Sequence, residues 1–277
     1  MFMTQSHPTS LNSELRQPRR LAGLAGLATL AVSAGSLIAG PISVPNGSFE
    51  SQVAPLAPPY VTTLIDAWQK APKPAWFDES ATGYYWDQTA GLFQNTPTGA
   101  PNHLTNLDGN QGLYFLALPQ VALFQDYQTA AWNQPVPSHA FNATYEVGQS
   151  YQLTVGVLGG LGGMASGTSL ELALYYRDAG DNFITVATTP VSYSPALFPD
   201  ATQFVDFSVG VPYVQAGDAW AGQHIGVRLL STSGTGAGYW DLDNVRLTAV
   251  PEPTSAALLL LGISGLWLVR GRSACPS

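Results

Sequence analysis

Tyr151-Gln152-Leu153-Thr154-Val155 places an apolar side chain at every second position. This period is typical of a β-strand that buries one face. Similar short runs recur along the chain, at residues 112–116, 121–124, 169–176, 183–187, 204–209, 224–230 and 239–247. Residues 178–182, Asp-Ala-Gly-Asp-Asn, separate two of these runs and predict a hairpin turn. Since no clear amphipathic helix lies between the runs, we expect an all-β fold, an antiparallel sandwich or barrel.

Two segments near the ends of this β-rich region carry a more specific resemblance. Residues 44–50 read VPNGSFE, and residues 239–247 read YWDLDNVRL. The pair resembles the first and last strands of carbohydrate-binding-module jelly rolls, which have a galactose-binding-like fold. Residues 108–115 and 145–153 are similar to internal strands of the same family. The resemblance implies a jelly-roll β-sandwich ectodomain over residues 41–249.

The same resemblance implies a structural calcium ion. In such modules the ligands are an acid just after the first-strand Asn-Gly-x-Phe and an aspartate in the last strand, and Glu50 and Asp243 hold these positions. If the last strand is regular, Asp243 shares a face with Val245 and Leu247, where an unpaired carboxylate would be costly. Bound calcium would remove that cost. The alternative is that Asp243 caps a turn or forms an ion pair with an arginine, either Arg228 or Arg246.

Aromatic and acidic side chains cluster in a long, proline-rich connection at residues 76–87. Long connections often carry binding residues, and aromatic rings can stack on the apolar faces of sugars. We therefore expect weak binding of extracellular polysaccharide by four rings of this segment, Trp76, Tyr84, Tyr85 and Trp86. The alternative is that these rings fill the core of the sandwich.

The sequence contains no recognisable catalytic motif. His103, His139 and His224 are far apart and lack metal-ligand spacing, and no G-x-S-x-G nucleophile elbow is present. We therefore expect a protein that is not an enzyme. The alternative is a secreted glycan-active enzyme on the sandwich, which would need two carboxylates about 5–10 Å apart in an aromatic-lined cleft.

Charge and cysteine content narrow the partners of residues 41–249. This segment contains 5 basic and 16 acidic residues, a net charge of −11. An acidic surface argues against nucleic acid and anionic lipid, and it is compatible with calcium. The single cysteine, Cys275, lies outside the segment, so the domain contains no disulfide and no thiol nucleophile.

Residues 1–40 have the pattern of a secretory signal peptide. Arg16, Arg19 and Arg20 precede an apolar stretch at residues 21–32, and small residues follow at Ser33 and Ala34. We therefore expect export of the chain by general secretion.

Residues 250–277 resemble the PEP-CTERM sorting signal, which an exosortase recognises. Pro251, Glu252 and Pro253 match its motif, residues 254–269 form an uncharged apolar run, and Arg270 and Arg272 match its basic end. As a helix the run would span roughly 24 Å, so we expect a single transmembrane helix. One alternative is a permanent membrane anchor, and another is a buried C-terminal core helix.

Together these patterns predict an exported protein. We expect an inner-membrane intermediate that the exosortase processes and sorts to the cell surface or extracellular matrix. Its expected role in a biofilm is structural or adhesive, with extracellular polysaccharide as a partner.

Overall fold

The computed structural model describes residues 39–130, 137–233 and 237–251, which form two antiparallel sheets. The first sheet has seven strands: β1 (Gly40–Ile42), β2 (Val61–Thr62), β4 (Ala90–Gln94), β5 (Gln111–Leu116), β7 (Gln149–Leu161), β10 (Val205–Val211) and β12 (Tyr239–Pro251). The second has five: β3 (Gln69–Lys70), β6 (Ala122–Gln125), β8 (Ser169–Arg177), β9 (Phe183–Ser192) and β11 (Gly226–Ser231). The predicted all-β antiparallel sandwich is confirmed.

Strand order in both sheets differs from chain order. The seven-stranded sheet runs β10-β7-β12-β5-β4-β2, with β1 also paired to β12, and the five-stranded sheet runs β3-β6-β11-β8-β9. The predicted hairpin joins β8 to β9, and its turn is closed by a hydrogen bond from the Asp178 N–H to the Asn182 carbonyl. Helical structure in the described residues is limited to α1 (Glu79–Thr82) and a 3₁₀ turn (Trp86–Thr89).

The core lies between the sheets and follows the period of two. Leu113 and Phe115 of β5 and Trp240 and Leu242 of β12 are fully buried in it. The second sheet contributes fully buried leucines to the same cluster, Leu123, Leu170, Leu172, Leu174 and Leu229. Residues between these on β5 and β12 therefore point away from the core, to the outer face of the seven-stranded sheet.

A β-bulge changes the facing of β12 near its middle. Asp243 is paired with Gly156 and Arg246 with Thr154, so β12 holds one extra residue there, and Asn244 takes a positive φ of 54°. The bulge returns Val245 to the core side. The expectation that Asp243 shares a face with Val245 and Leu247 is therefore wrong, because it assumed a regular strand.

The two predicted terminal signals lie almost wholly outside the described residues. Residues 1–38 of the predicted signal peptide and residues 252–277 of the predicted sorting signal are not part of them. Pro251 is described and ends β12. Within the described part of the chain, no helix is long and apolar enough to cross a membrane.

Candidate active site

A cavity of about 360 Å³ lies on the outer face of the seven-stranded sheet. Five strands supply residues to its floor: Val61 from β2, Phe93 and Gln94 from β4, Tyr114 and Leu116 from β5, Leu161 from β7, and Tyr239 and Asp241 from β12. Loop residues complete the lining, mainly Asn95, Thr96, Asn102, Leu104 and Ala201. The volume is within the range of small-molecule sites, and most of the lining is apolar or aromatic.

The register of β5 and β12 places the floor side chains together. Asp241 is the partner of Tyr114, and Tyr239 is the partner of Leu116. Cross-strand partners in an antiparallel sheet have Cβ atoms about 4.5–5.5 Å apart on one face. The same alternation that buries Trp240 in the core therefore brings a carboxyl group and two phenol rings to one patch of the outer face.

The loop after β4 forms the roof of the cavity, and hydrogen bonds from its own side chains to its backbone hold it together. The Asn95 amide donates to the Leu104 carbonyl and accepts from the Leu104 N–H, both at 2.9 Å. His103 Nδ1 donates to the carbonyl of Thr96 at 2.6 Å. These bonds connect the backbone at Asn95 and Thr96 with residues 103–104 on the other side of the loop.

A second loop, before β10, is fastened to the first. The Asn106 amide donates to the Phe204 carbonyl at 3.0 Å and accepts from the Phe204 N–H at 2.8 Å. The Thr105 N–H donates to the Thr202 carbonyl at 3.0 Å. Two loops that are about a hundred residues apart in the chain are therefore joined beside the cavity, which stays partly open to solvent.

Asp241 is the chemically unusual group of the cavity. The residue is 5% exposed, and its Oδ1 has no hydrogen-bond partner among the described residues. Burial raises the pKa of the Asp241 carboxyl from 3.8 to about 8, because an unpaired carboxylate is poorly stabilised away from water. At pH 7 the group is therefore mostly a neutral carboxylic acid that can donate a proton.

The two phenols on the floor differ in their surroundings. Burial raises the pKa of Tyr114 to about 12, and its hydroxyl donates to the Gln88 carbonyl at 3.2 Å. Its ring lies over Gly91, where a Cβ would come within 2.7 Å of the hydroxyl oxygen. Burial, and then the charge of nearby Asp241, raise the pKa of Tyr239. Both tyrosines are therefore uncharged rings beside the acid.

The two predicted calcium ligands accept hydrogen bonds from one turn, residues 108–111. Glu50 Oε1 accepts from the N–H groups of Asn110 and Gln111, each at 2.8 Å, and Asp243 Oδ2 accepts from the Asp108 N–H. Asp243 is 1% exposed and its Oδ1 has no partner among the described residues.

The charge at this turn is only partly balanced. Burial raises the pKa of Asp243 to about 7, backbone N–H donors oppose the rise, and the charges of Asp108 and Glu50 add to it. The alternative ion pairs are not formed, because Arg246 pairs with Asp206 and Arg228 with Glu171. Among the described residues, no group of three or more His, Cys, Asp or Glu side chains is arranged to hold a metal.

The four predicted ligand-binding rings do not form one surface. Trp76 is 50% exposed and Tyr85 67% exposed, whereas Trp86 is buried and donates through Nε1 to the Ala71 carbonyl at 2.8 Å. Tyr84 packs against the core and also lines a groove that shares Val61, Tyr114 and Leu116 with the cavity. Trp86 therefore follows the core-filling alternative.

The residues that form the cavity are not among those predicted from the sequence. The signal for Asp241 was its position between Trp240 and Leu242, where a period of two turns it away from the core. Nothing in the local sequence indicates that distant loops cover it. Among the described lining residues Asp241 is the single carboxyl group, so the paired carboxylates of a glycan hydrolase are not found in this cavity.

Comparison with known proteins points to one group of enzymes. The model of the HpiC1-like family, described as HpiC1 cyclase, matches residues 40–248. The Stig cyclase Fisc from Fischerella sp. TAU, in complex with (3Z)-3-(1-methyl-2-pyrrolidinylidene)-3H-indole, is 21% identical over 78% of this chain and 100% of its own, with a TM-score of 0.52. A cyclase from the same organism, in complex with 4-(1H-indol-3-yl)butan-2-one, is 22% identical over the same shares, with a TM-score of 0.50. At these identities the likeness shows the fold. No curated protein matches the chain.

The family match overturns the identification made from sequence. Identification as a PEP-CTERM, exosortase-processed protein with a carbohydrate-binding ectodomain is wrong, because a cyclase model accounts for residues 40–248. The structural or adhesive role in a biofilm and the expectation of no enzymatic activity are wrong for the same reason. The physical cause is that strand patterns identify a sandwich, which many functions share, whereas function lies in the site.

The expected partners and location are corrected with it. Exosortase, extracellular polysaccharide and the inner membrane were inferred as partners from the two resemblances, and a surface or matrix location from the same signals. A family of cyclases acts on small molecules instead, and the cavity around Asp241 has the size for one.

Proposed function

The chain belongs to the HpiC1-like family, and we propose that it is a cyclase that closes a ring in a small molecule by acid catalysis, with Asp241 as the proton donor. The observation that carries the proposal is the buried, unpaired Asp241 carboxyl in a largely apolar cavity. A general acid works best when its pKa is near the operating pH, and burial brings the pKa of Asp241 to about 8. We propose in addition that the two-sheet sandwich is a jelly roll.

The chemistry needs no co-reactant. The Asp241 carboxyl transfers its proton to an electron-rich atom of the substrate, which becomes an electrophile. Another part of the same molecule attacks this electrophile, and the new bond closes the ring. The Asp241 carboxylate then takes up the proton that the cyclised cation loses, so the product is an isomer of the substrate and the acid is regenerated.

The walls of the cavity suit a cationic intermediate. Phe93, Tyr114 and Tyr239 present aromatic rings to it, and aromatic faces attract cations. The apolar side chains of Leu104, Leu116 and Leu161 line the cavity, so a bound substrate would displace water that could otherwise capture the cation before ring closure.

We propose an indole-bearing substrate. Both cited Fischerella cyclase structures contain an indole compound, and the two phenol rings on the cavity floor offer stacking partners for a flat, mainly apolar bicycle.

The experiment is an assay of the full chain with a panel of 3-substituted indoles that carry an unsaturated side chain. The expected product has unchanged mass and a new ring by NMR. Asp241→Asn should lower the rate by about 10²–10⁴-fold, while Glu146→Gln, which alters an exposed acid, should leave it unchanged. Full activity of Asp241→Asn would refute the assignment of the acid.

We also propose that Glu50 and Asp243 hold a structural calcium ion at the turn 108–111. The unpartnered, buried Oδ1 of Asp243 supports this, as does the approach of Glu50 to the same turn. Calcium takes carboxylate and backbone carbonyl oxygens, so it would neutralise two acids and fix the start of β5.

A further inference from the structure

We propose that Gly112 determines the size of the ring system that the cavity accepts, because it leaves the space in which the Phe93 ring lies flat on β5. The proposal rests on the proposed function, since it takes the cavity as the substrate site. It goes further by assigning specificity to a residue that has no side chain and is not among the described lining residues.

Gly112 and Phe93 are cross-strand partners on the outer face of the seven-stranded sheet. Phe93 of β4 is paired with Gly112 of β5. Their chain neighbours Leu92 and Leu113 are fully buried in the core, so Phe93 and Gly112 face the other way. The Phe93 side chain lines the cavity, and Gly112 is the surface on which its ring rests.

The space above Gly112 is filled by the Phe93 ring. A Cβ at residue 112 would lie 2.9 Å from Phe93 Cζ and 3.2 Å from Phe93 Cε1, closer than carbon atoms approach without repulsion. Leu107 Cδ1 would also lie 3.2 Å away, so a side chain here meets neighbours on two sides. The end of the Phe93 ring is the neighbour that can give way. Because the sheet lies beneath it, it moves outward, into the cavity whose wall it forms.

The backbone at residue 112 does not require glycine. Gly112 is not among the described residues with positive φ, so its conformation is open to other residues. Glycine in the interior of a strand weakens the strand and often marks a close approach of another group. At residue 112 that group is an aromatic ring of the cavity wall. The shape of the cavity therefore accounts for the glycine.

The neighbouring cross-strand pair repeats this arrangement with the two strands exchanged. Gly91 of β4 is paired with Tyr114 of β5, and a Cβ at residue 91 would lie 2.8 Å from Tyr114 Cε1. Each strand therefore supplies one ring to the cavity and one glycine beneath the ring of the other strand. Gly91 is the poorer position for a test, because a Cβ there would also lie 2.5 Å from the Thr62 carbonyl oxygen, a backbone atom.

A lifted Phe93 ring leaves less room for a flat ligand. One methylene in an apolar pocket changes specificity by about 10–200-fold, and the Cβ of an alanine at residue 112 is a group of that size. A fused two-ring ligand should therefore lose more affinity than a single ring that carries the same side chain. Gly112 thus favours the larger ring system.

The test measures the binding of 3-butylindole and 3-butylpyrrole to wild type, Gly112→Ala and Gly112→Val by calorimetry. Gly112→Ala should weaken the binding of 3-butylindole by about tenfold, the lower end of the range for one methylene, and Gly112→Val should weaken it further. The binding of 3-butylpyrrole to Gly112→Ala should change little. A crystal structure of Gly112→Ala should show the Phe93 ring lifted from β5.

Two controls separate specificity from folding. Gly210→Ala makes the same change in β10, at an exposed position where a Cβ meets nothing within 4 Å, and it should bind both ligands as wild type does. The double variant Gly112→Ala/Phe93→Leu should recover the binding of 3-butylindole, because the shorter side chain leaves room for the new Cβ. Recovery would show that the loss in Gly112→Ala comes from the displaced ring.

Unchanged binding of 3-butylindole by Gly112→Ala, equal weakening of both ligands, or a Phe93 ring in its original place would overturn the inference. So would a wild type that does not bind 3-butylindole. Because binding needs no proton transfer, a selective loss in Gly112→Ala would stand even if Asp241→Asn stayed fully active, and only the acid assignment would then fail. If ring closure depends on Asp241 and Gly112→Ala binds as wild type does, only the role of Gly112 fails.

Discussion

Trp240 and Asp241 are neighbours in the chain, yet one fills the core and the other lines the cavity. Successive side chains of a strand point to opposite faces of the sheet, so the surroundings of each of the two residues are set by what covers its own face. Trp240 is covered by the opposite sheet and contributes packing. Asp241 is covered by two loops that offer its Oδ1 no donor. The result is a carboxyl group that is costly for stability and useful for chemistry.

The cost of Asp241 depends on pH. Its pKa in the folded chain, about 8, lies above the ordinary 3.8, so the folded state binds the proton more tightly than the unfolded state. The stabilising contribution is complete below about pH 4 and is lost as pH rises through 8. The pKa rises by about 4 units, and at about 1.4 kcal/mol for each unit ionisation lowers the free energy of unfolding by at most about 6 kcal/mol.

Asp241→Asn removes this penalty, so we expect the variant to be more stable than wild type at pH 9 and nearly equal to it at pH 4. Chemical denaturation at both pH values measures the difference. Comparison with Glu146→Gln shows whether the gain is specific to the buried site. A variant that is less stable than wild type at pH 9 would contradict the raised pKa of Asp241.

The bulge in β12 is the element that returns Val245 to the core side after Asp241 and Asp243 have pointed outward. Asn244 has a positive φ of 54°, a conformation that asparagine and glycine tolerate and β-branched residues do not. Asn244→Gly should therefore change stability by only tenths of a kcal/mol. Asn244→Val should cost about 1–3 kcal/mol. Thermal denaturation of the pair tests this, and equal loss in both variants would show that the asparagine side chain matters instead.

The pair of hydrogen bonds between Asn106 and Phe204 is the second feature that shapes the cavity, because it joins the two loops beside it. Asn106→Ala removes both hydrogen bonds to Phe204, so we expect faster hydrogen exchange at the Phe204 amide and a several-fold loss of kcat/KM. The Tm should fall little, because the core is untouched. Unaltered exchange at Phe204 would mean that other contacts hold the two loops together.

Local sequence patterns were sufficient to predict the strands and the hairpin, but they were not sufficient to predict the site. The runs at 112–116 and 239–247 could be predicted as strands, because the alternation of apolar and polar residues is visible in the local sequence. The bulge depends on one residue, Asn244, with no pattern around it. The roof joins residues near 95–106 with residues near 202–204, and single-sequence reasoning has no measure of such distant contact. The sequence alone therefore indicates that the Asp241 side chain points away from the core, but it does not indicate that a cavity surrounds this side chain.

At the scale of the whole molecule, the calcium proposal predicts a change in global stability. A ligand that binds only the folded state stabilises it by RT ln(1 + [L]/Kd), so millimolar calcium should raise the Tm and EGTA should reverse the rise. The effect should be larger at pH 8 than at pH 6, because Asp243, with a pKa of about 7, must lose its proton to bind. Asp243→Asn should abolish the calcium-dependent rise in Tm. A wild-type Tm that does not change with calcium at either pH would contradict the proposal.

The same fold-level features explain why the sequence suggested a different protein. The acidic charge, the single outlying cysteine and the sandwich strands are shared by binding modules and by enzymes on this architecture. What distinguishes the chain is a cavity with a buried acid, Asp241, on the outer face of the seven-stranded sheet.

The pH–rate profile of ring closure by the full chain tests acid catalysis by Asp241 most directly. With a substrate from the indole panel that does not titrate in this range, kcat/KM should be level near pH 6 and fall as pH rises through about 8, because the active form carries the proton. Asp241→Asn should lack that limb. A wild-type rate that increases or stays constant from pH 6 to 9.5 would contradict the account.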